Sequence, residues 1–221
     1  MTDSKIRKLV LSALMAALCT VMTMVIQVPS PMQGYVNLGD CAVLISAWML
    51  GPLYGGAAAG IGSALADLLS GYAHYVPGTF AIKFLMAAAA ALILRAMTKK
   101  APSAMLAGQA AGGVAAEVIM VLGYFAYASL WLGKGLAAAA SIPGNIVQGV
   151  FGLVAATVVY TVLSRSRAVA KFDPTPYADT QIAARQKTSG GNFYAFSLCA
   201  SACSSSHRTI WSMPSNVRGK L

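Results

Sequence analysis

Charge is what this sequence is shortest of. Lys and Arg total 16 and Asp and Glu only 6 among 221 residues, so charged side chains make up 10% of the chain. An ordinary soluble domain carries roughly 25%. Between the basic groups Lys5/Arg7/Lys8, Arg95/Lys99/Lys100 and Arg165/Arg167/Lys171 stand just five charges: Asp40, Asp67, Lys83, Glu117 and Lys134. A globule in water cannot cover its surface with so few, which excludes a cytosolic enzyme. Histidine is nearly absent, with His74 and His207 alone, so a Ser–His hydrolase would depend on a single loop histidine. No Gly-x-x-x-x-Gly-Lys-[Ser/Thr], His-Glu-x-x-His or Gly-x-Ser-x-Gly occurs, so neither ATP hydrolysis by a P-loop nor the common hydrolase chemistries are encoded. The same scarcity of charge excludes a nucleic-acid-binding domain and a disulfide-stapled secreted module, and the four cysteines say little by themselves. Cys19 and Cys41 sit in apolar runs as small hydrophobes. Cys199, Cys203 and His207 form only a weak metal pattern, and no metal site is expected.

Apolar residues fill the remainder, 57% of the chain. The run 9–28 follows Lys5-Ile-Arg-Lys8 as a signal peptide would, but it is a full membrane span with more spans after it. Further runs cover 41–66, 79–97, 103–132 and 141–163. Basic residues favour cytoplasmic flanks. If 41–66 crosses once, the second basic cluster falls outside; if it turns at Gly51-Pro52, all three clusters share one side. Pro52 cannot continue a helix and biases its predecessor away from one. The expected fold is therefore an all-α integral membrane protein, a six-helix bundle with both termini cytoplasmic. Its segments are 9–28, short helices 41–50 and 54–70, then 79–98, 104–130 and 141–164. The net charge of +10 is thus explained by topology and not by nucleic acid. Residues 1–171 form the membrane domain. Residues 172–221 form a polar, Ser-rich tail of foreign composition, expected to be disordered.

Ionisable residues inside a membrane are costly and are candidates for function. Asp67 and Lys83 flank the loop 68–82, where they could form a structural ion pair or contact a solute. Glu117 lies more than two turns inside its helix, with Tyr124 on the same face seven residues on. Asn145 and Gln148, three apart, project together, either to bridge helices or to line a pocket. Tyr72 and His74 stand in the outer loop 70–78. The loop 32–40 carries Asn37 and Asp40, and Asp40 is suited to cap the following helix. Gly51, Gly55, Gly56 and Gly60 give Gly-x-x-x-Gly spacing, which lets helices approach closely. Ala13 and Ala17 repeat it more weakly on the first helix.

Tyr35-Val-Asn-Leu-Gly-Asp40, Gly51-Pro-Leu-Tyr-Gly-Gly56, Gly60-Ile-Gly-Ser-Ala-Leu-Ala-Asp-Leu-Leu-Ser-Gly-Tyr72 and Thr79 to Ile82-Lys83 carry a resemblance. Glu117, Gly123-Tyr-Phe125 and Ile142-Pro-Gly-Asn145 with Gln148 continue it. Over residues 5–167 the chain resembles the S component, the substrate-binding membrane subunit, of energy-coupling factor (ECF) transporters, in the riboflavin/hydroxymethylpyrimidine-like branch. The resemblance implies capture of a water-soluble vitamin or precursor at the outer face of a prokaryotic plasma membrane, without catalysis. It implies a transmembrane T subunit and two ATPase subunits as partners. ATP is used by those partners, and no cofactor belongs to this chain. Carried over by position, Asn37, Asp40, Lys83, Glu117, Tyr124, Asn145 and Gln148 would bind substrate, and Tyr72 and His74 join them as candidates from their place in the outer loop. Ala13 and Ala17 would meet the T subunit, and Asp67, Gly51, Pro52, Gly56 and Gly60 would be structural. Acids, amides and tyrosines suit a small heteroaromatic ring, with hydroxymethylpyrimidine or pyridoxine favoured and riboflavin next. The competing function is a stand-alone ion-coupled carrier using Asp67, Lys83 or Glu117 as a proton relay.

Overall fold

The structure is a computed structural model that describes residues 3–30 and 34–164, all within the compact unit Met1–Asp179. The tail 172–221, the cluster Arg165/Arg167/Lys171 and the Cys199/Cys203/His207 group lie outside the described residues.

Five helices are long and apolar enough to cross a membrane. They are α1 (Asp3–Val25), α2 (Gly39–Leu69), α3 (Val76–Lys100), α4 (Met105–Ala126) and α5 (Ile142–Ser164). Between α1 and α2 stands an antiparallel pair, β1 (Gln27–Ser30) and β2 (Gly34–Asn37), with Gln27 opposite Asn37 and Val28 opposite Val36. This hairpin stands where an outer loop is expected, and α1 ends at Val25 rather than at residue 28. The helix stops at Val25 because Val28 and Pro29 favour extended backbone; Pro also denies a helix its N–H. The α4 helix runs on into a wider turn, Tyr127–Trp131, and a 3₁₀ stretch, Gly135–Ser141, leads into α5.

α2 is not one straight rod. Gly51 has φ +83° and ψ −174°, outside helix geometry, a conformation glycine adopts without the Cβ clash of other residues. Pro52 follows directly, where the sequence expected a turn. Ser46 Oγ donates to the carbonyl of Gly55 at 3.2 Å. In a straight helix those residues would lie about 13 Å apart, so the two arms of α2 fold back on each other. The missing Cβ at Gly51 also leaves room for the Arg95 guanidinium.

α2 is the central helix, packed on α1, α3 and α5, while α4 joins α3 to α5. Small residues make this possible. A Cβ on Gly56 would sit 3.0 Å from the Phe84 ring, and one on Gly60 would sit 2.9 Å from the Phe80 carbonyl of α3. A Cβ on Gly62 would strike α1 at Ala16 and Cys19. Lipid is as apolar as the helix surfaces, so such close van der Waals packing holds the bundle together. Trp48, Leu44, Met86, Leu94, Met120 and Tyr160 fill the core. The Tyr160 ring meets Trp48 edge-on at 5.3 Å. α1 is peripheral: Met15, Ala16 and Cys19 face inward, while Ala13 and Ala17 are exposed beside Leu14 and Leu18.

Chain direction sorts the polar groups. Lys5, Arg7 and Lys8 begin α1 and Lys99 and Lys100 end α3, so they share the end of the bundle at which α2 bends. The hairpin, the loop 70–75 and the segment 132–141 share the opposite end.

Candidate functional site

At the hairpin end, four helix termini and one strand converge on a cavity of about 50 Å³. Tyr35 and Asn37 enter from β2, two residues apart and therefore on one strand face. Asp67 comes from the end of α2. Tyr75 precedes α3 and Thr79 follows one turn later, so both point the same way. Tyr124 and Ala128 come from α4 and its terminal turn, and Ser141, Asn145 and Gln148 from the start of α5. The walls are tyrosine rings, amides, hydroxyls and one carboxylate.

Beneath the cavity lies a buried ion pair. Lys83 Nζ donates to Asp40 Oδ1, and the two side chains are 3% and 0% exposed. Gln148 Nε2 donates to the other carboxylate oxygen at 2.5 Å, and Gln148 Oε1 accepts the backbone N–H of Asn37 at 2.8 Å. Asn37 Oδ1 in turn accepts the N–H of Gly39 at 2.7 Å. The Lys83 ammonium lies 5.6 Å from the Tyr124 ring centroid. α5 comes this close to Asp40 because Gly152 has no side chain: a Cβ there would be 2.8 Å from Asp40 Cβ.

Two sequence expectations are corrected here. Lys83 pairs with Asp40 of the first α2 arm, not with Asp67 across the loop, because the α2 fold-back puts Asp40 beside α3. Asp40 does not cap its helix either. The N-cap residue is Leu38, with no side-chain cap bond, and both Asp40 oxygens are taken by Lys83 and Gln148.

Asp67 accepts from the Tyr35 hydroxyl through Oδ1, whereas its Oδ2 is buried without a hydrogen-bond partner. Burial first, and the Asp67 charge second, push the Tyr35 phenol above its ordinary range, so Tyr35 stays a protonated donor. The Tyr124 hydroxyl donates to Thr79 at 3.1 Å. Above the cavity an aromatic chain runs Tyr35–Tyr72 (4.9 Å between centroids), Tyr72–His74 (6.2 Å) and His74–Tyr75 (4.8 Å).

Of the residues singled out from sequence, Asn37, Tyr124, Asn145 and Gln148 line the cavity. Asp40 and Lys83 lie sealed below it. Tyr72 and His74 lie in the loop above it and form no part of its wall. Glu117 lines a separate apolar cleft of about 420 Å³ between α4 and α5, where both its carboxylate oxygens are buried without a partner. Asn145 borders both spaces. Tyr35, Tyr75, Thr79 and Ser141 were missed, and Asp67 belongs to the wall as well as to the framework. The two-residue step from Tyr35 to Asn37 and the four-residue steps from Tyr75 to Thr79 to Lys83 were the available signals. Among the described residues, no group of three His, Cys, Asp or Glu could hold a metal ion.

Three comparisons bear on this arrangement. A protein of Pyrococcus woesei, "Uncharacterized protein in gap 3'region", is 38% identical over 136 residues, covering 61% of this chain and 86% of its own. A solved structure described as "Structure and mechanism of the S component of a bacterial ECF transporter" aligns with a TM-score of 0.54 at 21% identity. That match covers 72% of this chain and 96% of the other, a likeness of fold. The family model "ECF-type riboflavin transporter, S component" matches residues 3–165. The chain therefore belongs to the ECF-type riboflavin transporter S component family.

Proposed function

We propose that this chain captures a small heteroaromatic vitamin or vitamin precursor in the cavity at the hairpin end and hands it to an ECF-type importer. Family membership makes it a multi-pass membrane subunit of vitamin uptake rather than an enzyme. The solute and the partners belong to the proposal. The observation that carries it is the cavity itself: Asn37, Asn145 and Gln148 offer amides to ring edges, and Tyr35, Tyr75 and Tyr124 offer faces. It lies opposite the basic ends of α1 and α3, which places it outside if those ends are cytoplasmic. In this reading α2 counts as two membrane segments, giving six in all with both termini inside. A T subunit and two ATPases of a prokaryotic plasma membrane would complete the importer. They would supply all nucleotide chemistry, and the exposed Ala13/Ala17 face of α1 would be offered to the T subunit.

A cavity of about 50 Å³ is far below the roughly 300–1,000 Å³ usual for ligand pockets. The hairpin or the loop 70–75 must therefore shift to admit a vitamin. The small volume favours a pyridine or pyrimidine such as pyridoxine or hydroxymethylpyrimidine; the family's name favours riboflavin. The test is extraction and mass spectrometry of whatever solute co-purifies with the protein in detergent, followed by titration of that solute and of riboflavin. Stoichiometric binding with no ATPase present supports the reading. An empty protein that binds no vitamin overturns it.

A second reading, an ion-coupled carrier working alone, draws on Glu117, whose buried carboxylate has no partner. It requires uptake into vesicles holding this chain only, abolished by a proton uncoupler.

A further inference from the structure

The ionisable groups buried in the described bundle are unequal in number, three carboxyls to one amine. Asp40, Asp67 and Glu117 are buried carboxylates, and Lys83 is the one buried cation among the described residues. Lys83 is committed to Asp40. Asp67, 5% exposed, accepts from Tyr35 through Oδ1 and has the Thr79 hydroxyl beside it, while its Oδ2 makes no hydrogen bond of good geometry; it lines the cavity. Glu117, bordering the adjacent cleft across Asn145, has both oxygens unpartnered. Leaving a buried acceptor unmade is costly, and more so when it carries charge. Such a site is complementary to donors and to positive charge.

The aromatic walls point the same way. Tyr35, Tyr75 and Tyr124 surround the space that Asp67 borders. Ring faces attract cations, and several rings beside a carboxylate are a recognised receptor for them. Two of these rings already have an ammonium over them from outside the cavity: Lys83 over Tyr124 at 5.6 Å and Lys134 over Tyr75 at 5.4 Å. The basic groups around Asp67 are Lys83, held by Asp40, and His74 in the loop above, with Lys134 half-buried at the rim against the Tyr75 hydroxyl. None of the three lines the cavity. An anionic solute would meet carboxylate and carbonyl oxygens there without a cation in the wall.

We propose that the cavity selects a cationic or amine-bearing heteroaromatic solute, with Asp67 Oδ2 receiving its positive group and Tyr35, Tyr75 and Tyr124 its ring. This rests on the vitamin-capture reading and narrows its substrate class. Asp67 thereby becomes a specificity-determining residue as well as a hairpin anchor.

The test is calorimetric titration of the purified full chain in detergent at pH 7.5 with three pyridines that differ in one substituent. Pyridoxamine carries an aminomethyl cation, pyridoxine a neutral hydroxymethyl group and 4-pyridoxic acid a carboxylate. Riboflavin, neutral and larger, is the fourth probe. Binding is expected in the order pyridoxamine, pyridoxine, pyridoxic acid, with roughly tenfold or more between the first two. Asp67→Asn should flatten that order. Tyr75→Leu, which leaves the Tyr35–Asp67 bond untouched, should weaken pyridoxamine more than pyridoxine. Equal binding across the series, a reversed order, or riboflavin binding with no pyridine bound overturns the inference and leaves vitamin capture standing. Failure of all four probes to bind overturns the inference, while the capture reading is decided separately by the solute that co-purifies. The wild-type series decides the matter even if Asp67→Asn does not fold.

Discussion

Gln148 of α5 holds the Asp40 carboxylate of α2 with one end of its amide, at 2.5 Å, and the backbone N–H of Asn37 with the other, at 2.8 Å. One side chain thus ties the hairpin that roofs the cavity to the ion pair that floors it. Membrane interhelical hydrogen bonds average about 0.6 kcal/mol. This one counts for more because one end of the amide serves the fully buried Asp40 carboxylate, which has no water to fall back on.

Gln148→Ala should therefore loosen the hairpin and leave one Asp40 oxygen short of a donor. The expected loss is about 1–3 kcal/mol, read as a lower midpoint of thermal unfolding in detergent. Ligand should dissociate faster, since the roof is no longer pinned. Unchanged ligand off-rates would show that the hairpin is held by other contacts.

Lys83→Met strands the Asp40 charge, and breaking a buried pair from one side costs about 3–5 kcal/mol. Asp40→Leu combined with Lys83→Met should be less damaging than Lys83→Met alone. A double-mutant cycle on unfolding free energy measures this. Additive losses would mean that the pair does not act as a unit.

Tyr35 gives a pH prediction with a definite sign. Its phenol is raised above the ordinary value of 10.0 by burial and by Asp67. The folded state therefore keeps a proton that the unfolded chain loses. Its contribution to stability is complete below about pH 10 and declines as pH rises beyond that. Tyr35→Phe should flatten the fall in stability above pH 10, measured by urea titration across pH 8–11. By absorbance, the folded wild type should show one more tyrosine resisting ionisation through that range than folded Tyr35→Phe. At neutral pH the same substitution should weaken solute binding, because Asp67 loses the Tyr35 hydroxyl that positions it in the cavity wall.

Close approach of α5 rests on glycine. Gly152→Leu would drive a side chain into Asp40, where even a Cβ is 2.8 Å from the Asp40 Cβ. Overpacking of this kind costs about 1–3 kcal/mol, and here it should also lower solute affinity by prising Gln148 from Asp40. Val147→Ala, at a position 67% exposed, is the control and should change neither.

The sequence by itself determined the membrane setting. Scarce charge, five long apolar runs and clustered basic residues follow from the energetics of lipid, which act locally on each segment. The bend at Gly51-Pro52 was legible for the same reason, since proline and glycine act on their own backbone. Asn145 and Gln148 were also legible as a shared face, because helix periodicity is local. Partner choice was not. Lys83 lies nearer to Asp67 than to Asp40 in sequence, yet the fold-back of α2 hands it Asp40. Glu117 and Tyr124 share a helix face, yet they border different spaces, Tyr124 the cavity at the hairpin end and Glu117 the cleft against α5. Tyr35, Tyr75 and Thr79 are ordinary residues until the helix ends meet around them. Only the tertiary structure decides which carboxylate is neutralised and which is left to face the cavity, because that depends on the crossing of helices distant in the chain.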